Sequence, residues 1–352
     1  MHAPLQTAYR KTFALVVLVA LLAVIALAAI SLGSISIAPS RVIDVLLGVD
    51  GAKQLDFARD ALVITQIRIP RLLLGAVVGA GLAVAGAVMQ GLFRNPLADP
   101  GLIGVSSGAG FAAAVAIVLG GQIVSGAAAN FPFIFLPVAA FCGALGSTLM
   151  LYVVASRGGR TSMAVMLLAG IAFGALAGAG IGWLSYISDD RQLRDLTFWS
   201  MGGLGGATWG KVGIVLPMIL PSLIAMPFLA HGLNAMALGE AEAFHLGVNV
   251  QRLKSAAILL VSIAVGASVA CSGMIGFVGI IVPHLLRLSV GANYRFLLPA
   301  SALLGATLLV GADIIARTIV APSELPIGII TATIGAPFFI WLLLRRGPEL
   351  AV

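Results

Sequence analysis

An all-α membrane protein of about ten spanning helices is the fold class this sequence predicts, and three observations predict it. Of 352 residues, 60% are apolar and only 9% charged, whereas a soluble domain is about one-quarter charged. The mean hydropathy is +1.12. The apolar residues also fall into runs close to the roughly 20 residues that cross a bilayer core. Too few polar groups remain to wet the surface, so lipid is the solvent for much of the chain. An ordinary soluble enzyme is excluded.

The runs lie near 13–30, 72–92, 101–120, 133–155, 163–186, 212–231, 255–272, 274–290, 297–320 and 326–345. The first follows Arg10 and Lys11 and contains Ala26-Leu27-Ala28, which mimics a signal-peptidase site. It is longer than the 7–15 residues of a signal h-region, so a retained span is expected. Ser34 to Arg71 carries Asp44, Asp50, Lys53, Asp56, Arg59 and Asp60 and predicts a partly helical external loop. Asp189 to Asp195 is a second polar connection, and His231 to Lys254 a third that reads as one or two short helices at the membrane surface. Pro217, Pro221 and Pro227 predict a kinked sixth span. Residues 1–352 are expected to form a single polytopic domain that includes the 231–254 segment. Two sets of five spans would form a 5+5 inverted repeat. The Gly- and Pro-containing turns Gly91–Gly104 and Gly273–Pro283 are its faint trace.

Placing the N-terminus inside puts eleven of the 20 Lys and Arg residues there: Arg10, Lys11, Arg94, Arg157, Arg160, Arg252, Lys254, Arg287, Arg295, Arg345 and Arg346. The acids on that side are Asp99, Glu240, Glu242 and Glu349. This is the direction of the positive-inside rule, so both termini are expected in the cytoplasm. In the fifth span Gly170, Gly174, Gly178 and Gly182 recur every four residues. Such a stripe lets another helix approach closely, either as static packing or as a gating contact.

Several chemistries are excluded. The net charge of +7 comes without a basic run interleaved with aromatics, so nucleic acid is not an expected partner. Cys142 and Cys271 lie in apolar stretches and read as packing residues. His2, His231, His245 and His284 show no i,i+4 pair and no metal-ligand spacing, so no metal is expected. Gly205 to Lys211 has phosphate-loop spacing, but Val212 stands where the loop needs Ser or Thr. Asp313 is the one obvious intramembrane acid, and Arg317 one turn on offers it an i,i+4 partner. With no chain of buried acids for ion coupling, energy is expected from another chain. No catalytic residue is expected here.

The stretch Gln90-Gly91-Leu92-Phe93-Arg94-Asn95-Pro96-Leu97-Ala98-Asp99-Pro100-Gly101-Leu102-Ile103-Gly104 resembles the FecCD-type permease subunits of ABC importers for ferric siderophores, haem and cobalamin. Gly276 to Arg287, Glu324 to Gly328 and Gly335 to Phe339 join it in matching order and spacing across nearly the whole chain. The resemblance implies a type II ABC importer permease of ten spans in the bacterial inner membrane, forming a homodimer with a path along its axis. It also implies two cytoplasmic ATPase subunits, which hold ATP and Mg, and a periplasmic substrate-binding protein. The ATPase-coupling segment implied is Leu233 to Val250, including Gly239, Glu240, Glu242 and Gly247. Docking arginines for the binding protein map onto Arg68, Arg71 and Arg317, and the cytoplasmic gate onto Asn95, Leu97, Thr161 and Ser162. Asp189 to Leu204 is similar to haem-importing members, with Arg191 and Arg194 as candidate contacts to haem propionates. A ferric siderophore or cobalamin is the alternative substrate, and a single-chain secondary carrier the alternative class.

Overall fold

Every apolar run of the sequence becomes a helix in the computed structural model, which describes residues 3–33, 36–48, 55–123 and 132–346. His2, Asp50, Lys53 and Glu349 lie outside the described residues. Helix α1 (Ala3–Ser31) is followed by the short α2 (Pro39–Leu46) and α3 (Leu55–Leu62) of the expected polar loop. A π-helical stretch, Val63–Arg68, joins α3 to α4 (Ile69–Leu92). Then come α5 (Val105–Ile123), α6 (Pro132–Ala155), a minimal antiparallel hairpin of β1 (Ser156–Arg157) and β2 (Arg160–Thr161), and α7 (Met163–Ile187). The polar connection after α7 folds as α8 (Asp190–Met201). The chain continues with α9 (Trp209–Ala225), α10 (Ala230–Met236), α11 (Glu240–His245) and α12 (Val250–Ser272). It ends with α13 (Val278–Val290), α14 (Tyr294–Thr318) and α15 (Ile327–Arg346).

Seven helical segments among the described residues are long and apolar enough to cross a membrane: 10–31, 56–92, 134–155, 163–187, 209–236, 250–272 and 294–318. Three of the expected spans appear instead as shorter apolar helices within α5, α13 and α15. Helix α13 is only 13 residues long, and α5, at 19 residues, begins later than expected, for a similar local reason. Proline and glycine divert the backbone before α5 into a turn and a 3-10 helix, Pro100–Ile103, and residues 273–277 before α13 are non-helical. Both connections hold a non-glycine residue at positive φ, Arg94 at 49° and Phe277 at 68°. In the sixth run the helix passes through Pro217 and Pro221, then tightens to a 3-10 turn at Met226–Leu229, where Pro227 withdraws a backbone donor.

The centre of the bundle is α4, in which every residue from Val78 to Leu92 is buried. It packs against α14, α12, α13 and α9. Its close approaches follow from absent side chains: a Cβ on Gly86 would lie 2.0 Å from the Gly279 carbonyl oxygen, and one on Gly79 2.3 Å from that of Gly305. Small-residue contacts of this kind replace the hydrophobic drive that lipid cannot supply between helices.

Candidate functional site

Two polar clusters stand out, and α14 separates them. Between Tyr294 and Arg317 the helix rises about 35 Å, so the clusters occupy opposite ends of the bundle.

At the Arg317 end, Asp313 and Arg317 share one face of α14, with Arg317 Nε 3.5 Å from Asp313 Oδ2. Arg71, in the first turn of α4, donates from Nη2 to Asp313 Oδ1 at 2.8 Å and from Nε to both Asp313 oxygens at 3.0 Å. Its Nη1 reaches Glu324 Oε1, in the connection before α15, at 2.7 Å. Arg317 donates to the Ala29 carbonyl, and Arg68 to the carbonyls of Ile30 and Ser31, which close the end of α1. The three arginines are only 4–7% exposed. Arg68, Arg71 and Arg317, the docking arginines the resemblance implies, all turn inward in this chain and tie α1, α4, α14 and the α15 approach together. Desolvating a guanidinium is costly unless it is paired and hydrogen-bonded, and the carboxylates and open carbonyls that provide this lie inside the chain.

At the Tyr294 end, α10 and α11 form the short helices expected between residues 231 and 254. Leu233 is fully buried, and Met236, Ala243 and Leu253 seat both helices on the start of α12. Gly239 turns the chain between them at φ 136° and Gly247 ends α11 at φ 83°, conformations that favour glycine. Glu240 and Glu242 are exposed, and Val250 is the first residue of α12. The outer surface carries Leu238, Phe244 and Leu246, exposed by 67%, 70% and 60%. Sequence reasoning named the buried Leu233 and missed these three. Their signal was legible as large apolar residues beside Glu240 and Glu242 in the polar segment.

The expected gate residues lie in two separate places. Asn95 is exposed and accepts the Leu97 N–H at 2.9 Å, shaping the loop after α4. Thr161 is buried in β2, and Ser162 caps α7 by accepting the Val165 N–H at 3.3 Å. No hydrogen bond among the described residues joins Asn95 or Leu97 to Thr161 or Ser162. Nearby Asp99 caps the 3-10 helix by accepting the Gly101 N–H at 2.7 Å. Burial raises its carboxyl above the ordinary carboxylate range, and that hydrogen bond opposes the rise.

The glycine stripe on α7 divides in two. A Cβ on Gly170 would stand 2.0 Å from the Leu102 carbonyl oxygen, and one on Gly174 3.4 Å from Ser107 Oγ. One on Gly178 or Gly182 would meet nothing within 4 Å. That open half lies on a helix whose Leu176, Trp183 and Tyr186 are also exposed. Helix α8 begins with a capping box between Asp189 and Gln192 and buries Leu196. Arg191 and Arg194, three residues apart on the same face, are exposed and form no ion pair among the described residues. His284 packs edge-on against Phe338, with ring centroids 6.2 Å apart. Among the described residues no group of His, Cys, Asp and Glu could hold a metal ion.

Comparison with known proteins gives a consistent result. The model of the FecCD transport family matches residues 21–345. The hemin transport system permease protein HmuU of Yersinia pestis is 48% identical over 289 residues, covering 80% of this chain and 83% of the relative. The vitamin B12 import system permease protein BtuC of Serratia proteamaculans is 46% identical over 284 residues, covering 81% and 82%. The cobalamin import system permease protein BtuC of Halobacterium salinarum is 44% identical, covering 81% and 74%. A solved structure, described as an inward-facing conformation of a metal-chelate type ABC transporter, superposes with a TM-score of 0.81 at 35% identity. It covers 94% of this chain and 98% of its own.

Proposed function

Since the chain belongs to the FecCD transport family and is a multi-pass permease subunit of an ABC importer, we propose that its cargo is haem, moved across the bacterial inner membrane by alternating access. The observation that carries haem is α8, whose Arg191 and Arg194 are exposed and without an ion-pair partner among the described residues. Haem bears two propionate carboxylates, which guanidinium forks bind well. Cobalamin carries neutral amide side chains and one phosphodiester in place of a pair of carboxylates. The identity to the hemin permease supports the same reading. The runner-up is cobalamin, favoured by relatives of 44–46% identity, or a ferric siderophore.

The wider assembly in this proposal is a homodimer whose ten apolar helices are arranged as 5+5 inverted repeats. The matching kinked connections at Arg94 and Phe277 support the repeat. The exposed half of α7 at Gly178 and Gly182 faces the dimer path. Both termini and the α10–α11 segment are cytoplasmic, and ATP and Mg are held by two separate ATPase subunits. Leu238, Phe244 and Leu246 enter a groove on each ATPase, while Glu240, Glu242 and Gly247 shape the contact. A periplasmic binding protein docks at the Arg317 end. There Arg68, Arg71 and Arg317 set the shape of the surface rather than reaching the partner. Asn95, Leu97, Thr161 and Ser162 close the path on the cytoplasmic side.

The test is ATP hydrolysis and vesicle uptake by the permease with its ATPase and a binding protein loaded with haem, cobalamin or a ferric siderophore. Haem is expected to stimulate preferentially, and an Arg191→Gln/Arg194→Gln variant to lose that preference about ten-fold, as two exposed, solvent-screened ion pairs warrant. Stimulation by another ligand alone would discard haem. Absence of any complex would reopen the secondary-carrier reading.

A further inference from the structure

Around Thr161 the polar contacts converge on one residue from several sides. The Thr161 N–H donates to Gln251 Oε1 at 3.0 Å, and its carbonyl accepts from Lys254 Nζ at 3.0 Å. Its hydroxyl meets Gln251 Nε2 and, at 2.8 Å, Ser156 Oγ. Tyr152 closes the group by bonding Ser255 at 2.7 Å. Lys254 then reaches Glu240 Oε1 at 2.7 Å, the first residue of α11. Lys254 is 4% exposed and sits near the positive end of α12. Its amino group is held by the bonds to Glu240 and Thr161. One buried side chain thus joins α11 to the hairpin, and Ser162, the next residue, caps α7.

A second chain of contacts starts from α10. Asn234 Oδ1 accepts the Tyr294 N–H at 3.0 Å, and its amide nitrogen donates to Asn293 at 3.2 Å. Tyr294 hydroxyl accepts from Arg287 Nη2 at 3.0 Å, and Arg287 Nη1 donates to Gln90. Gln90 bonds the Gly279 carbonyl at 3.1 Å, and its own carbonyl accepts the Asn95 N–H at 3.1 Å. This path ends in the other expected gate loop.

We infer that Glu240–Lys254–Thr161 and Asn234–Tyr294–Arg287–Gln90 are two polar relays that carry displacement of the α10–α11 segment to the two gate segments, with Lys254 and Arg287 as positioning residues. The inference rests on the coupling and gating roles proposed above. Glycine-rich helix contacts slide at low cost, whereas hydrogen bonds hold direction and distance. Bonded chains therefore transmit a push that the smooth interfaces of α4 with α14 and of α5 with α6 would absorb.

The experiment uses the permease assembled with its own ATPase and binding protein in vesicles. Lys254→Met and Glu240→Gln are compared with Lys254→Arg, and Arg287→Met tests the second path. Two quantities are read: uptake per ATP hydrolysed, and the ATP-dependent change in labelling of Ser162→Cys by a thiol reagent, with Cys142 and Cys271 replaced. Lys254→Met and Glu240→Gln are expected to lower the uptake obtained per ATP hydrolysed by at least about five-fold, the lower end of allosteric coupling. They should also abolish the labelling change, and Lys254→Arg should restore both. Glu240 is exposed, so its variant folds even if Lys254→Met does not. Unchanged uptake per ATP and unchanged labelling in Glu240→Gln would overturn the relay. If the unaltered protein shows no ATP-coupled uptake, the importer reading itself falls and the relay with it.

Discussion

Arg71 illustrates how a single residue sets the limits of local reasoning. Its guanidinium contacts Asp313, 242 residues away, and Glu324. Asp313 and Arg317 were legible as a pair because four residues on a helix make one face. Arg71 was not legible, because nothing in its neighbourhood encodes a partner so distant in sequence. Removing one member of a buried ion pair leaves the other charge unsolvated at a cost of about 3–5 kcal/mol. Arg71→Met or Asp313→Ala should therefore lower the thermal unfolding midpoint of the purified permease clearly, and recovery of much of the loss should need all three charges replaced, as in Arg71→Met/Asp313→Leu/Arg317→Met, because Asp313 also pairs with buried Arg317. Charge reversal at Arg71 should likewise destabilise the fold before it affects docking. Weakened binding-protein affinity with an unchanged unfolding midpoint would show instead that these arginines act at the surface.

At the scale of an element, α11 is short enough that it holds its place by contacts rather than by intrinsic helicity. Ala243 is fully buried against α10 and α12, whereas Phe244 is 70% exposed on the outer side. A large aromatic exposed among acids in a polar connection marks a partner surface, and buried aromatic anchors carry most of an interface's energy. Phe244→Ala is expected to weaken ATPase association by about 2 kcal/mol, roughly thirty-fold, in a pull-down titration of purified subunits. Stability should not change, since the side chain packs little against its own chain. Association at full strength would move the interface off α11. The positions of the elements were legible throughout, because runs of apolar residues report spans directly. Span lengths were less so: the full crossing expected at α13 is shortened to 13 residues by the turn at Phe277, where backbone geometry outweighs hydropathy.

For the whole molecule, the placement of charge bears on where the energy for transport enters. An ion-driven carrier needs an intramembrane acid that exchanges its proton or cation during the cycle. Asp313, the acid that sequence alone offered for that task, is 3% exposed and held between Arg71 and Arg317. Its carboxylate oxygens are taken up by both guanidinium groups, so exchange of a proton or cation would require those ion pairs to break. The other end of the bundle supplies what an external motor needs, two short helices with exposed apolar residues braced against α12 and α14. Uptake by vesicles containing the complete assembly should therefore persist when ionophores collapse proton and sodium gradients. It should stop when the ATPase partner carries a substitution that blocks hydrolysis. The reverse pattern, sensitivity to ionophores with indifference to the ATPase, would require Asp313 to leave its arginines during transport. Asp313→Asn separates the two mechanisms: in an ATP-driven importer its effect follows the loss of folded protein, whereas in an ion-driven carrier it abolishes uptake by protein that remains folded.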